Sequence, residues 1–360
     1  MSFDFEGRWT RAATVMRAHD IDAMFVMKPT NLAYLTGDGR PDVAVVNNRD
    51  GQLVWFENRD KPAEGPWKRL VISTQCPRVY DVALADFNGD GRLDAATSGY
   101  ASGLTLWFKN PGPDGWDKEW PRVVIDDKMS EGRTIRAADF NADGKPDLLA
   151  ASVGAENVPL SQTDPRHHAS SIVWFENPGP PATQSWPKRI IDNAARAPIQ
   201  GEPADMDGDG DLDVVMAHGM RPPLAPVENH GIAWYEQEGK PVGKTPRAGD
   251  SLTWKPHKIG SLPHAFEAVS ADLDGDGDQD VAATAWALGD TLGWFENTGD
   301  PSAAWNPHVL KEKWYAANQV IIADLDGDGR PDIAGTADDG SSRVKGANEL
   351  RWWRNTGPRK

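Results

Sequence analysis

A single cysteine, Cys76, stands in 360 residues, so no internal disulfide framework holds this chain together. Long apolar runs are also missing. None approaches the roughly 20 residues that span a bilayer as a helix. Cations are in deficit, with 38 Lys+Arg against 54 Asp+Glu and a formal charge of -16. A phosphate backbone or an anionic membrane selects a basic surface, so neither nucleic acid nor membrane is expected as a partner. Residues 1–28 hold Asp4, Glu6, Asp20 and Asp22 and no continuous apolar stretch, so no export signal is visible. Nucleophile-elbow, phosphate-loop and dinucleotide fingerprints are absent.

Glycine, aspartate and tryptophan are abundant instead, and a repeat explains all three. The pattern D-x-[DN]-x-D-G-x-x-D starts at Asp86, Asp139, Asp205, Asp272 and Asp324, at intervals of 53, 66, 67 and 52 residues. Half a copy stands at Asp38–Asp42. A short run of small residues follows each loop, such as DAATS or DVAATA. An aromatic strand comes next, beginning at Trp55, Trp107, Trp174, Trp234, Trp294 or Trp352. A third run opens on Trp67, Trp120, Trp186, Trp254 or Trp305, and a fourth leads into the next loop. Four short strands per unit predict an all-β fold, a β-propeller of four-stranded blades. Six units are visible, so the ring has six or seven blades. The small-residue strand is expected innermost, beside the central channel, with the Trp strands packed between blades.

The loop spacing suits calcium. Ca²⁺ takes six to eight hard oxygen ligands, and alternate carboxylates converge when Gly at position six turns the chain sharply. The expected ligands are Asp86, Asn88, Asp90 and Asp94; Asp139, Asn141, Asp143 and Asp147; Asp205, Asp207, Asp209 and Asp213; Asp272, Asp274, Asp276 and Asp280; and Asp324, Asp326, Asp328 and Asp332. About five structural Ca²⁺ ions are expected, each holding an inter-blade turn. They would account for much of the acidity. The half loop at Asp38 and Asp42 should bind weakly or not at all.

Over residues 37–360 these motifs resemble the FG-GAP/VCBS repeat family of calcium-binding propellers. That resemblance implies an extracellular or periplasmic setting, where calcium is plentiful. Residues 11–37 resemble instead the start of the N-terminal domain of creatinase/prolidase-type peptidases, without that family's metal-binding half. Two domains are therefore expected: 1–36 as a fused or remnant segment, and 37–360 as the propeller.

Insertion lengths point to a working face. The spacing from the last loop Asp to the motif Trp is 13, 13, 27, 21, 14 and 20 residues, whereas the second Trp lies 18 or 19 before the next loop. The loops between the first and second strands therefore vary, at the end opposite the calcium loops. Variable loops on a rigid scaffold are where binding residues collect. His167, His168, His230, Trp286 and Trp314 are candidate ligand contacts there, with a glycan or a protein as the partner. Trp286 and Trp314 lie outside the repeated Trp positions and could stack on a sugar face or cap the channel. His257 and His308 fall in the third-strand motif and read as structural.

Two functions remain open. One is a binding module. The other is a carbohydrate-active lyase or dehydratase working by β-elimination, because the repeats also look like the propeller domain of aldos-2-ulose dehydratase and like some polysaccharide lyases. That likeness implies a His or Tyr base with Arg or a metal stabilising the enolate. His218, His264, Tyr315, Arg166 and Arg221 are the candidates.

Overall fold

In the computed structural model, residues 42–58, 67–154, 170–183, 185–219, 230–238, 252–286, 288–337 and 349–357 are described. They form six antiparallel blades, two of which are joined by one parallel bridge into a single eight-stranded sheet. Blade one contains β1 (Val43–Asn47), β2 (Gln52–Glu57) and β3 (Lys68–Ser73). Blade two contains β4 (Val79–Ala85), β5 (Asp94–Gly99), β6 (Thr105–Phe108) and β7 (Arg122–Asp126). Blade three contains β8 (Gly132–Ala138), β9 (Asp147–Ser152), β10 (Ser171–Phe175) and β11 (Lys188–Asp192). Blade four contains β12 (Pro198–Ala204), β13 (Asp213–His218), β14 (Gly231–Glu238) and β15 (Thr253–Ser261). Blade five contains β16 (Ala265–Ala271), β17 (Asp280–Ala285), β18 (Thr291–Glu296) and β19 (Asn306–Lys311). Blade six contains β20 (Ala317–Ala323), β21 (Asp332–Ala337) and β22 (Glu349–Trp353). The N-terminal segment 1–36 lies outside the described residues.

Two sequence expectations need correction. The small-residue strand is second in its blade, because the sheet order runs β4-β5-β6-β7 and β8-β9-β10-β11. The strand entering the Asp loop is the inner one. Inner strands of neighbouring blades meet directly: β12 and β16 share a parallel bridge at Gln200 and Glu267. Second-strand residues are small because they are covered on both sides; β5, β9, β13 and β17 are buried along their whole length. It follows that each Asp loop is a hairpin inside one blade and not the turn between two. The passage from blade to blade is the loop from the outer, fourth strand to the next inner strand, at the other end.

Apolar clusters join consecutive blades. Trp55 and Leu53 of blade one pack with Val82, Leu106 and Phe108 of blade two. Trp107 of blade two packs with Ile135 and Leu148 of blade three. Val215 and Trp234 link blade four to Val281 and Phe295 of blade five. Alternation along each strand produces this, since successive side chains face opposite neighbours. Trp107 and Trp234 are fully buried, and such large rings supply much of the packing area. Trp352 departs from the pattern: it stands 41% exposed on β22, the last described strand of its blade. His257 and His308 stack flat on Trp234 and Trp294, with ring centroids 4.5 and 4.3 Å apart, and reach Glu236 and Glu296 at 2.6 and 2.8 Å. They are structural residues of the outer strand pair.

Candidate functional site

At one end of the blades lie the Asp loops. The first Asp of each loop accepts backbone N–H bonds from the turn, as Asp205 does from Gly208 (2.8 Å) and Gly210 (3.0 Å). The glycines sit at positive φ, Gly208 at 75° and Gly210 at 93°, which L side chains rarely adopt. Loop two carries Ala142 at φ 52° where the other loops have glycine.

The last Asp also has a backbone task, which its spacing does not reveal. Asp147 Oδ2 accepts from Phe140 N (3.1 Å) and Oδ1 accepts from Asn177 N (2.7 Å). Asp94 binds Phe87 and Asn110, Asp213 binds Met206 and Gln237, Asp280 binds Leu273 and Asn297, and Asp332 binds Leu325 and Asn355 in the same way. Asp42, from the half loop, holds Asn58 N at 2.8 Å. This carboxylate ties the loop to the end of the Trp strand. Burial pushes Asp94 and Asp280 up to about 6, Asp213 to about 7 and Asp147 to about 8, against the pull of the backbone donors. The Asn that follows the Trp strand completes the tie. Asn177 Nδ2 donates to Pro146 O and to Phe87 O of the preceding blade, both at 2.9 Å.

The five loops are not equivalent as metal donors. Carboxylates converge to within 4.8 Å in three of them: Asp205, Asp207 and Asp213; Asp272, Asp274 and Asp276; Asp324, Asp326 and Asp332. Position seven decides what competes. It is Asp211 and Asp278 in loops three and four, but Arg92, Lys145 and Arg330 in the others. Arg92 holds Asp90 at 2.6 Å, Lys145 holds Asp143, and Arg330 holds Asp328. Lys109 adds a second cation to Asp90 at 3.5 Å, and Arg354 reaches Asp326 at 2.5 Å and Asp328 at 3.1 Å. Oxygen-rich donor sets without a resident cation fit Ca²⁺, and loops three and four have them.

At the other end, the inner strands open onto a polar and aromatic axis. Arg136 of β8 binds Asp81 of β4 and lies 3.8 Å from Glu267 of β16. Burial alone would lower the Arg136 pKa; the two carboxylates outweigh it and hold it up. Gln319 Nε2 donates to Gln200 Oε1 (2.9 Å), and Val320 N donates to Glu267 Oε2 (2.8 Å). Blades two to six are thus cross-tied at the axis. Nearer the mouth, Tyr80 and Trp286 pack against Val153, Ile199 and Phe266. Trp286 lies 5.8 Å from the Phe266 ring, and Tyr80 lies 6.2 Å from Tyr100. Arg133 covers both tyrosines.

The sequence candidates scatter. Trp286 belongs to the axial mouth, half-buried. Trp314 is 3% exposed, T-stacked on Trp353 and bonded through Nε1 to Glu349 at 2.9 Å, so its ring fills the core between blades five and six. Tyr315 beside it is exposed. His218 is buried, with Nδ1 3.2 Å from Arg196 O and Nε2 3.3 Å from the Tyr235 hydroxyl oxygen, whose single proton is directed at Asp192. Burial lowers His218 to about 4. His230 and His264 are buried edge to face, 5.2 Å apart, and His264 N donates to His230 Nδ1 at 3.0 Å. Arg166, His167, His168 and Arg221 lie outside the described residues. Sequence reasoning missed Tyr80, Tyr100, Arg133, Asp81 and Arg136. No motif marks them, because they meet only when the inner strands converge.

The architecture and its loops define a β-propeller of repeated blades. The family described as FG-GAP-like repeat matches residues 35–97 and 272–335, which take in parts of blades one, two, five and six. Cartilage acidic protein 1 of Xenopus tropicalis is 28% identical over 191 residues, covering 50% of this chain but only 27% of that protein. Among solved structures, an Agrocybe aegerita lectin that recognises non-reducing terminal N-acetylglucosamine aligns with TM-score 0.50 and 17% identity, over 90% of this chain and 79% of that one. The aldose sugar dehydrogenase of Streptomyces coelicolor, in its PQQ-bound form, aligns with TM-score 0.48 and 14% identity, over 92% and 96%. Among the described residues, no helix is long and apolar enough to cross a membrane.

Proposed function

We propose that this chain is a calcium-stabilised propeller that binds a glycan at the end opposite the Asp loops. The observation that carries the reading is the axial mouth, where Tyr80, Tyr100, Phe266 and Trp286 gather around Arg133. Aromatic faces beside a few directed polar groups are what a sugar site requires. The lectin with a similar fold recognises a sugar, which is consistent with this use. The β-elimination alternative is less well supported. It needs a base open to substrate; of its described candidates His218 and His264 are buried, and only Tyr315 is exposed.

Calcium in this reading is structural. Loops three and four are the strongest sites, loop five is weaker, and loops one and two are neutralised by their own Arg92 and Lys145. Sites of this kind suit a compartment with abundant calcium, so an extracellular or periplasmic setting follows. The relative named for cartilage supports the same setting. Titrating the calcium-loaded chain with a panel of saccharides tests the binding function. Saturable binding that falls at least about tenfold (about 1.4 kcal/mol) in Trp286→Ala supports it. No saturable binding to any saccharide contradicts it.

A further inference from the structure

One position recurs around the axial mouth. The residue just before each described inner strand takes a left-handed conformation without being glycine: Arg78 (φ 55°), Glu131 (55°), Ala197 (45°), His264 (61°) and Ala316 (55°). Its carbonyl is pinned by the residue that leaves the second strand. Tyr100 N donates to Arg78 O at 2.7 Å, Gly219 N to Ala197 O at 3.0 Å and Trp286 N to His264 O at 2.9 Å. The backbone is therefore equivalent from blade to blade, while the side chains differ. Blades four and six present alanine; blades two and three present charge.

In that charged sector Arg78 and Arg133 both lie over the Tyr100 ring, their guanidinium carbons 5.0 and 4.2 Å from its centroid. Arg133 also lies 4.7 Å from the Tyr80 centroid. Its side chain is 7% exposed and its Nη2 reaches Glu131 at 3.1 Å, yet its Nε has no hydrogen-bond partner. A buried donor left in this way calls for an acceptor. Arg78 is exposed, and among the described residues no carboxylate pairs with it. Glu131 pairs with Arg133, and deeper on the axis Asp81 and Glu267 pair with Arg136, which leaves Arg78 as the guanidinium at this rim that no carboxylate of the described residues holds.

We propose that this sector is a carboxylate subsite, so that the sugar taken at the axial mouth is an acidic one. The inference rests on the glycan-binding reading above and adds the charge of the ligand. A planar carboxylate presents two oxygens to a planar guanidinium fork, which an ammonium ion or a neutral donor does not match. Arg78 reaches the carboxylate first, from the exposed side. Tyr100 holds both guanidinium groups by cation–π contact and offers its remaining ring surface to the sugar. Arg133 is held behind it by Tyr80 and Glu131.

The test is calorimetric titration of the calcium-loaded full chain with tri-galacturonate, with neutral tri-N-acetylglucosamine and with a sulfated disaccharide. Arg78→Ala is expected to fold, since alanine already holds this conformation in blades four and six, and its melting curve checks that. Tri-galacturonate is expected to bind best. Its affinity should fall at least about tenfold in Arg78→Ala and by less in Arg78→Lys, and should weaken with added salt. Tri-galacturonate affinity unchanged in Arg78→Ala overturns the inference. Binding of the neutral sugar without the acidic one also overturns it and leaves the glycan reading standing. Preference for the sulfated sugar overturns the carboxylate assignment. Absence of binding to all three removes both readings.

Discussion

The side-chain amide of Asn177, at the end of a Trp strand, donates to the backbone carbonyl of Phe87 in the preceding blade, 2.9 Å away. Asn355 makes the matching bond to Leu273 O at 2.6 Å. A blade is thus fastened to its neighbour by the residue that the buried Asp of its own loop holds in place. Replacing Asp147 by Ala removes acceptors for Phe140 N and Asn177 N together, at a cost of roughly 2–5 kcal/mol. Asp143→Ala, which acts at the turn, should cost less in EDTA. Denaturant melts of the two variants check the order. Equal losses would show that the last Asp is no special staple.

Calcium stoichiometry is the second prediction. Loops three and four lack a position-seven cation, so equilibrium dialysis should find two tight sites, with loop five next. Arg92→Asp and Lys145→Asp should each raise the number bound, because removing the resident cation frees Asp90 and Asp143. Five equal sites in the unaltered chain would contradict this. Asp207→Ala should lower the calcium-dependent gain in melting temperature more than Asn88→Ala does.

A pH effect follows from His218. Its folded pKa is depressed to about 4 by burial, below the ordinary imidazole value of 6.5, so the native state favours the neutral ring. The associated stability is fully present above pH 6.5 and is lost as pH falls from there through about 4. The loss is roughly 3 kcal/mol, or about 1.4 kcal/mol per pH unit. His218→Gln should flatten that part of the stability curve. A variant whose acid-side slope equals that of the unaltered chain would refute the assignment.

Tryptophan burial separates core from surface. Trp107→Ala should destabilise by about 3–5 kcal/mol, since its ring is fully buried between blades two and three. Trp314→Ala should behave as a core change and leave sugar affinity unaltered in the folded fraction, because its ring is buried against Trp353. Trp286→Ala should do the reverse.

The repeats were legible because calcium-type loops and Trp strands are local patterns. Asp205–Asp213 and Trp234 announce their elements within a few residues. Which strand lies innermost was not legible, since a chain that alternates strand and hairpin reads the same from either edge. Small residues in β5 and β17 suggested crowding at the channel, but they are crowded by blades on both sides. The spacing that marks the last loop Asp as a metal donor does not show its backbone task; its two backbone donors come from seven residues before it and thirty after it in the case of Asp147. The axial residues were invisible for the same reason. Asp81 and Arg136 are 55 positions apart, and Glu267 joins them from a third blade.

Sugar affinity measured on one sample in calcium, after EDTA, and after calcium is restored tests the account most directly. It predicts saturable binding that is lost or strongly weakened in EDTA and recovered with calcium, because loops at one end hold the blades whose inner strands shape the mouth at the other. Affinity that is unchanged in EDTA, or no affinity in calcium, would contradict it.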